Sequence, residues 1–132
     1  MSSNFPTSEM AMTHILVVAD VSRSARWYTD VLGAELFREY GTSAVFSFNG
    51  SWLLLVEEGA PTPDKPGVSF VPPDPKAASH SFTVRVPDCR AAYETLNARG
   101  AEFFTPPYDW GAEIRCFFPD PDGHVWEISE SG

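Results

Sequence analysis

A glutamate stands inside an otherwise apolar run near the end of the chain, Val125-Trp126-Glu127-Ile128. Valine, tryptophan and isoleucine favour a strand, and a strand sends alternate side chains to opposite faces. Glu127 then shares a face with Val125 and Ser129, while Trp126 and Ile128 take the other. A carboxylate beside large apolar neighbours is costly to bury unless a partner holds it or chemistry uses it. Two arginines raise the same question. Arg85 shares a strand face with Ser81 and Thr83, and Arg115 shares one with Phe117. A buried guanidinium needs a carboxylate or an anionic ligand, and a salt bridge at a sheet margin meets that need as well as a ligand does. In a pocket poor in water, a carboxylate such as Glu127 is also a candidate general base.

The elements that must position these groups are legible in order. Residues 13–20 form a near-continuous apolar run and predict a buried strand. Ser22 offers an N-cap, and Ala25, Tyr28, Val31 and Leu32 recur at helical spacing before Gly33 closes the helix. Strands are expected over 35–40, 44–48 and 52–57, the last two joined by the hairpin turn Asn49-Gly50. Six prolines between residues 58 and 79 rule out helix or central strand there. A strand follows over 80–86, a helix capped by Asp88 running to Arg99, and strands over 102–105, 113–118 and 124–129. The turn before the last strand is Asp120-Pro121-Asp122-Gly123. His124, next to that turn, is expected to be exposed.

The second half repeats the first. Val18-Ala19-Asp20, a helix and Gly33-Ala34-Glu35-Leu36-Phe37 match Val86-Pro87-Asp88, a helix and Gly100-Ala101-Glu102-Phe103-Phe104. Gly50 likewise matches Gly123, which sets Leu54 opposite Glu127. Neither half alone buries both faces of its sheet, so the two pack about a pseudo-twofold axis and leave a cleft. The division is a tail over 1–12, a first module over 13–57, a proline-rich linker over 58–79 and a second module over 80–130, with 13–130 as one domain. The class is α+β, two βαβββ modules forming curled mixed sheets. Trp52, Leu54 and Val56 line one wall of the cleft, with Phe46, Phe48 and Phe117 as additions. Trp110-Gly111 is a candidate lid loop.

Composition removes several function classes. A net charge of −9 argues against nucleic acid and anionic membranes as partners. No apolar run is long enough to cross a bilayer, and the first ten residues do not read as a signal peptide. Cys89 and Cys116 form no framework and suit a reducing cytoplasm as two small apolar residues.

The pattern Val18-x-Asp20 followed by Tyr28 and Leu32-Gly33, together with Asp120-Pro121-Asp122-Gly123-His124-Val125-Trp126-Glu127, resembles the vicinal oxygen chelate superfamily. That superfamily includes glyoxalase I, extradiol dioxygenases, fosfomycin-resistance transferases and bleomycin-binding proteins. The resemblance implies paired modules around a U-shaped cleft, a small-molecule ligand or substrate, and a homodimer. It also implies metal ligands on the first and last strands of each module. Glu127 falls on such a position; its mate Leu54 cannot bind a metal, which leaves a three-ligand arrangement of His14, His80 and Glu127 for Fe, Mn, Zn or Ni. By strict register Thr13 and Ser81 face Glu127 while both histidines face the helix layer, unless bulges at the strand starts re-aim them. Two functions stay open. One is metal-dependent lyase or dioxygenase chemistry on a small molecule. The other is a metal-free binding protein of the bleomycin-sequestering type, whose acidic cleft would suit a cationic ligand.

Overall fold

The computed structural model describes residues 5–131, so the first residues of the expected tail, 1–4, lie outside the described part. The halves build two four-stranded sheets, ordered β1-β4-β3-β2 and β5-β8-β7-β6. The first comprises β1 (Thr13–Val18), β2 (Glu35–Glu39), β3 (Ser43–Phe48) and β4 (Ser51–Glu57). The second comprises β5 (Ser81–Arg85), β6 (Tyr108–Asp109), β7 (Glu113–Pro119) and β8 (Val125–Ser131). In each half the first strand pairs parallel with the last, because a helix carries the chain back between them. The fold is α+β with two βαβββ units. Among the described residues no helix is long and apolar enough to cross a membrane.

The two helices start alike. α1 (Val21–Trp27) is capped by Asp20 and α2 (Cys89–Ala98) by Asp88, each accepting a backbone N–H three residues on, with nearly identical extended dihedrals. Ser22, expected as the first cap, is instead inside α1, because the repeat places its capping carboxylate at Asp20. α1 continues as a π-helical turn, Tyr28–Leu32, which ends at Gly33 with φ +81°. That wider turn keeps Tyr28, Val31 and Leu32 all directed into the core.

Strand alternation sorts the side chains. Leu16, Val18, Ala44, Phe46, Leu53 and Leu55 are buried on the face under α1, and Cys116, Phe118, Trp126 and Ile128 on the face under α2. Phe46 is therefore core and not cleft wall. The two halves meet at aromatic contacts, with Tyr28 packed on both Phe46 and Trp126 at 6.0 Å. His14 and Phe82 occupy equivalent positions of the repeat and touch edge-on at 5.1 Å, so the pseudo-twofold axis passes between them. The segment expected as a strand over 102–105 is irregular and keeps one ladder bond, Phe104 N–H to the Phe117 carbonyl. The edge strand forms beyond the proline pair Pro106-Pro107 instead, at Tyr108–Asp109.

The Asp120–Gly123 turn fastens the second half to the first. Asp120 Oδ1 accepts from the backbone N–H of Asp122 and His124, which rigidifies the turn. Its Oδ2 accepts from the Tyr28 hydroxyl at 2.6 Å, and the Trp126 indole donates to that hydroxyl at 3.3 Å. Asp122 reaches the start of α1, accepting from Ala19 N–H, Arg23 and the Ser24 hydroxyl. His124 Nε2 lies 2.8 Å from the Val17 carbonyl and donates to it. His124 is only 6% exposed, so the expectation of an exposed histidine is wrong. The turn folds back onto β1, and a carbonyl there fixes the ring. The proline-rich segment packs on the same turn, since a Cβ on Gly123 would fall 2.9 Å from Pro75 Cβ and its φ is +99°.

Burial drives the Tyr28 hydroxyl well above its ordinary pKa, and the neighbouring Asp120 carboxylate adds to the rise. Burial also pushes Asp120 upward, opposed by His124 and by the Tyr28 hydrogen bond. A raised tyrosine favours the folded state at neutral pH and loses that contribution as pH climbs past about 10. Tyr28 is expected to resist ionisation in an alkaline absorbance titration until the protein unfolds; ionisation of Tyr28 in the folded protein near pH 10, identified by its loss in Tyr28→Phe, would contradict this. Removing the second carboxylate by Asp122→Ala is expected to cost about 2–4 kcal/mol in urea denaturation, since a backbone N–H, a hydroxyl and a guanidinium lose their partner together.

Candidate functional site

The face of the second sheet turned away from α2 carries a continuous polar chain. Register sets Thr83 beside Glu127 beside Phe117, and Arg85 beside Ser129 beside Arg115. The Thr83 hydroxyl donates to Glu127 Oε1 at 2.5 Å. Glu127 Oε2 lies 3.8 Å from Arg115 Nε. Arg115 donates to Glu113, whose other oxygen accepts from the Ser129 hydroxyl and from Arg85. Arg85 also donates to Ser129 at 2.9 Å. Two carboxylates and two guanidiniums thus balance along one face. The Trp110 ring lies against Arg115 at 5.2 Å, so the loop expected as a lid touches this chain directly.

Glu113 and Ser129 were not among the candidates read from the sequence. The signal was available, since alternation puts Glu113 on the face of Arg115 and Ser129 on that of Glu127. Glu127 takes Thr83 and Arg115 as partners and not Arg85, because Arg85 lies one ladder rung away opposite Ser129. The Ser129 hydroxyl, and then Arg115, hold the Glu113 carboxyl below the usual carboxylate range. Burial pushes the Cys116 thiol up to about 12 and raises Cys89 as well. Neither cysteine is therefore a thiolate nucleophile at neutral pH.

A cavity of about 480 Å³ lies between the β3–β4 turn and strand β5. Its apolar floor is Phe48, Leu53, Val84 and the stacked pair Phe82 and Trp126, whose rings are 4.6 Å apart and 25° from parallel. His14, Asn49, Ser51, Ser81, Thr83 and Arg85 supply its polar groups. The repeat explains why space remains here. The β7–β8 turn carries two carboxylates, Asp122 bonded to the start of α1 and Asp120 to Tyr28 just past its end. Its counterpart, Asn49-Gly50, is a tight hairpin turn with both residues at positive φ and has no carboxylate to reach across. One turn is clasped and the other leaves a gap.

The histidines do not join Glu127. His14 and His80 both set their rings edge-on to Phe82, at 5.1 and 5.5 Å, on the side of β5 turned from Glu127. Among the described residues no three His, Cys, Asp or Glu side chains converge in a way that could hold an ion. His14, His80 and Glu127 as arranged do not fit a resident divalent metal. Trp52 and Leu54 are half-buried on the face of β4 turned from α1, apart from the Glu127 chain, with Trp52 edge-on to Phe37 at 5.4 Å. Ser81, Thr83 and Arg85 border the cavity, whereas Arg115 and Phe117 border a smaller hollow beside Trp110.

Comparison with known proteins matches residues 11–128 to the Glyoxalase/Bleomycin resistance protein/Dioxygenase superfamily. The metallothiol transferase FosB of Staphylococcus saprophyticus is 28% identical over 112 residues, 84% of this chain and 70% of that protein. The glutathione transferase FosA of Serratia marcescens is 27% identical over 120 residues, 89% of this chain and 79% of that one. Among solved structures, a glyoxalase/bleomycin resistance protein/dioxygenase from Nocardioides superposes with a TM-score of 0.73 at 28% identity, over 98% of this chain and 86% of that one. The fosfomycin resistance protein FosX of Listeria monocytogenes superposes at 0.67 with 15% identity, covering 93% of each chain, and shares the fold.

A carboxyl held low in the fold stabilises above its unfolded pKa, and that contribution is lost as pH falls through the folded value. Glu113→Gln is therefore expected to be less stable than the wild type at neutral pH, with the difference closing as pH falls through and below the ordinary carboxylate range. Denaturation midpoints across that range provide the measurement. A gap that stays constant with pH would show that the Ser129 and arginine contacts do not depend on the Glu113 charge.

Proposed function

The chain belongs to the Glyoxalase/Bleomycin resistance protein/Dioxygenase superfamily, and on that premise we propose that it binds a small organic molecule in the cavity along β5. The observation that carries this reading is the cavity itself, about 480 Å³ with an aromatic floor and a few convergent polar groups. Such walls are typical of small-molecule sites. Glu127 acts there through Thr83. By accepting the Thr83 proton at 2.5 Å, it leaves the hydroxyl oxygen as an acceptor for a donor on the ligand. Arg115 Nε lies 3.8 Å from Glu127 Oε2 and offsets the carboxylate charge beside its apolar neighbours.

Metal-dependent transferase chemistry is the second reading, supported by the likeness to the metallothiol transferase FosB and the glutathione transferase FosA. It requires His14 and His80 to turn onto the face of Glu127. A divalent ion bound there would act as a Lewis acid toward substrate oxygens. A homodimer is the expected assembly, supported by the apolar side chains of Ile15, Trp52 and Leu54 on the face of the first sheet turned from α1. Two free buried cysteines fit a cytoplasmic setting.

The test is a melting-temperature screen with small aromatic carboxylates, carboxamides and amines, since a ligand that binds only the folded state raises Tm by mass action. A panel in which no compound shifts Tm would remove the cavity reading. Glu127→Gln is expected to weaken binding by about tenfold or more while the protein stays folded. Unchanged affinity in that variant takes Glu127 out of the site. Stoichiometric Fe, Mn, Zn or Ni in the purified protein, lost in His14→Ala, would favour the metal reading instead.

A further inference from the structure

We infer that the ligand of this cavity is a small planar aromatic anion, a ring carrying a carboxylate or comparable group, with Arg85 as its anion anchor. This rests on the cavity reading above and names its ligand class. The chain carries eighteen Asp and Glu residues against nine Lys and Arg, yet no acidic side chain lines the cavity. Arg85 is the one Lys or Arg among its lining residues. An acidic protein has thus placed a cationic, acid-free lining around an apolar hollow, the reverse of the acidic cleft that net charge alone suggests. Local groups, and not net charge, set the potential a bound molecule meets once it is shielded from solvent.

Arg85 is also poised to bind. Its Nη1 is spent on Glu113 and Ser129, which pins the guanidinium plane. Among the described residues its Nε and Nη2 make no hydrogen bond. A guanidinium fixed at one nitrogen with further donors free presents the fork that suits a carboxylate. Glu113 divides its two oxygens between Arg85 and Arg115, and the second carboxylate of the network, Glu127, lies beside Arg115 and not beside Arg85. The body of the ligand is set by the other wall. Phe82 and Phe48, half-buried over Trp126, offer ring surface to a flat apolar group. His14, Asn49 and Ser81 offer hydrogen bonds at the rim.

Calorimetric titration of the full chain with naphthalene carboxylate, the matching carboxamide and the matching aminomethyl compound tests the inference. The carboxylate is expected to bind about tenfold or more tighter than the other two, and to weaken as salt is raised. Arg85→Ala should bring the carboxylate down to the level of the carboxamide, and Arg85→Lys should leave an intermediate preference. The Arg85 side chain is 64% exposed, so both variants are expected to fold; if Arg85→Ala does not, Arg85→Lys alone carries the comparison. Equal binding of carboxamide or amine, or a carboxylate preference that survives loss of the guanidinium fork, overturns the anion assignment while the small-molecule site stands. Failure of all three compounds to bind, together with a Tm screen that shows no shift, overturns the site and this inference with it.

Discussion

Burying a tyrosine hydroxyl at the junction of two modules forces a partner on it, and Asp120 is that partner. Tyr28 is fully buried between Phe46 of the first sheet and Trp126 of the second. Its hydroxyl, left unpaired there, would cost on the order of 1–3 kcal/mol. The Asp120 carboxylate meets that need, and two backbone N–H groups of its own turn stabilise the charge in return. Because Asp122 on the same turn holds Ala19, Arg23 and Ser24, the start of α1 cannot shift relative to β8 without breaking several bonds together. One four-residue turn thus adds a set of directional bonds to the aromatic contacts that join the halves.

The same motif that marks the family is thus largely structural in this chain. Asp120, Asp122 and His124 are all directed at the first module. Glu127, a few residues on, is directed away from the α2 side and belongs to a different network. The two turns of the repeat differ: the carboxylates of the second bond it to the first module, whereas the short Asn49-Gly50 hairpin carries none and borders the cavity.

Electrostatics along the second sheet follows from alternation. Glu113, Arg115, Glu127, Ser129, Thr83 and Arg85 fall on one face at adjacent ladder positions, so each charge finds an opposite one or a hydroxyl nearby. A carboxylate that looked expensive in isolation is stabilised by neighbours on two other strands. The cost is met within the sheet, and no metal is needed to explain the burial of Glu127.

Periodicity, glycines and the internal repeat determined a great deal by themselves. They set the two βαβββ units, the Asn49-Gly50 hairpin, the cap at Asp88, and which side chains within each strand share a face, Ser81 with Thr83 and Arg85, Arg115 with Phe117, and Glu127 with Ser129. These are local consequences of pleat and turn geometry, and local geometry is written in neighbouring residues. Strict register likewise turned His14 and His80 toward the helix layer. Only the tertiary structure decided which groups meet. That Glu127 takes Thr83 and Arg115, that His124 is buried against Val17, that the outer strand forms past Pro107 and not over 102–105, and that the cavity lining excludes acids all depend on how strands far apart in the chain align. Partners separated by 44 residues, as Thr83 and Glu127, or by 107, as Val17 and His124, are chosen by the packing of the whole core, and no short stretch of sequence carries that choice.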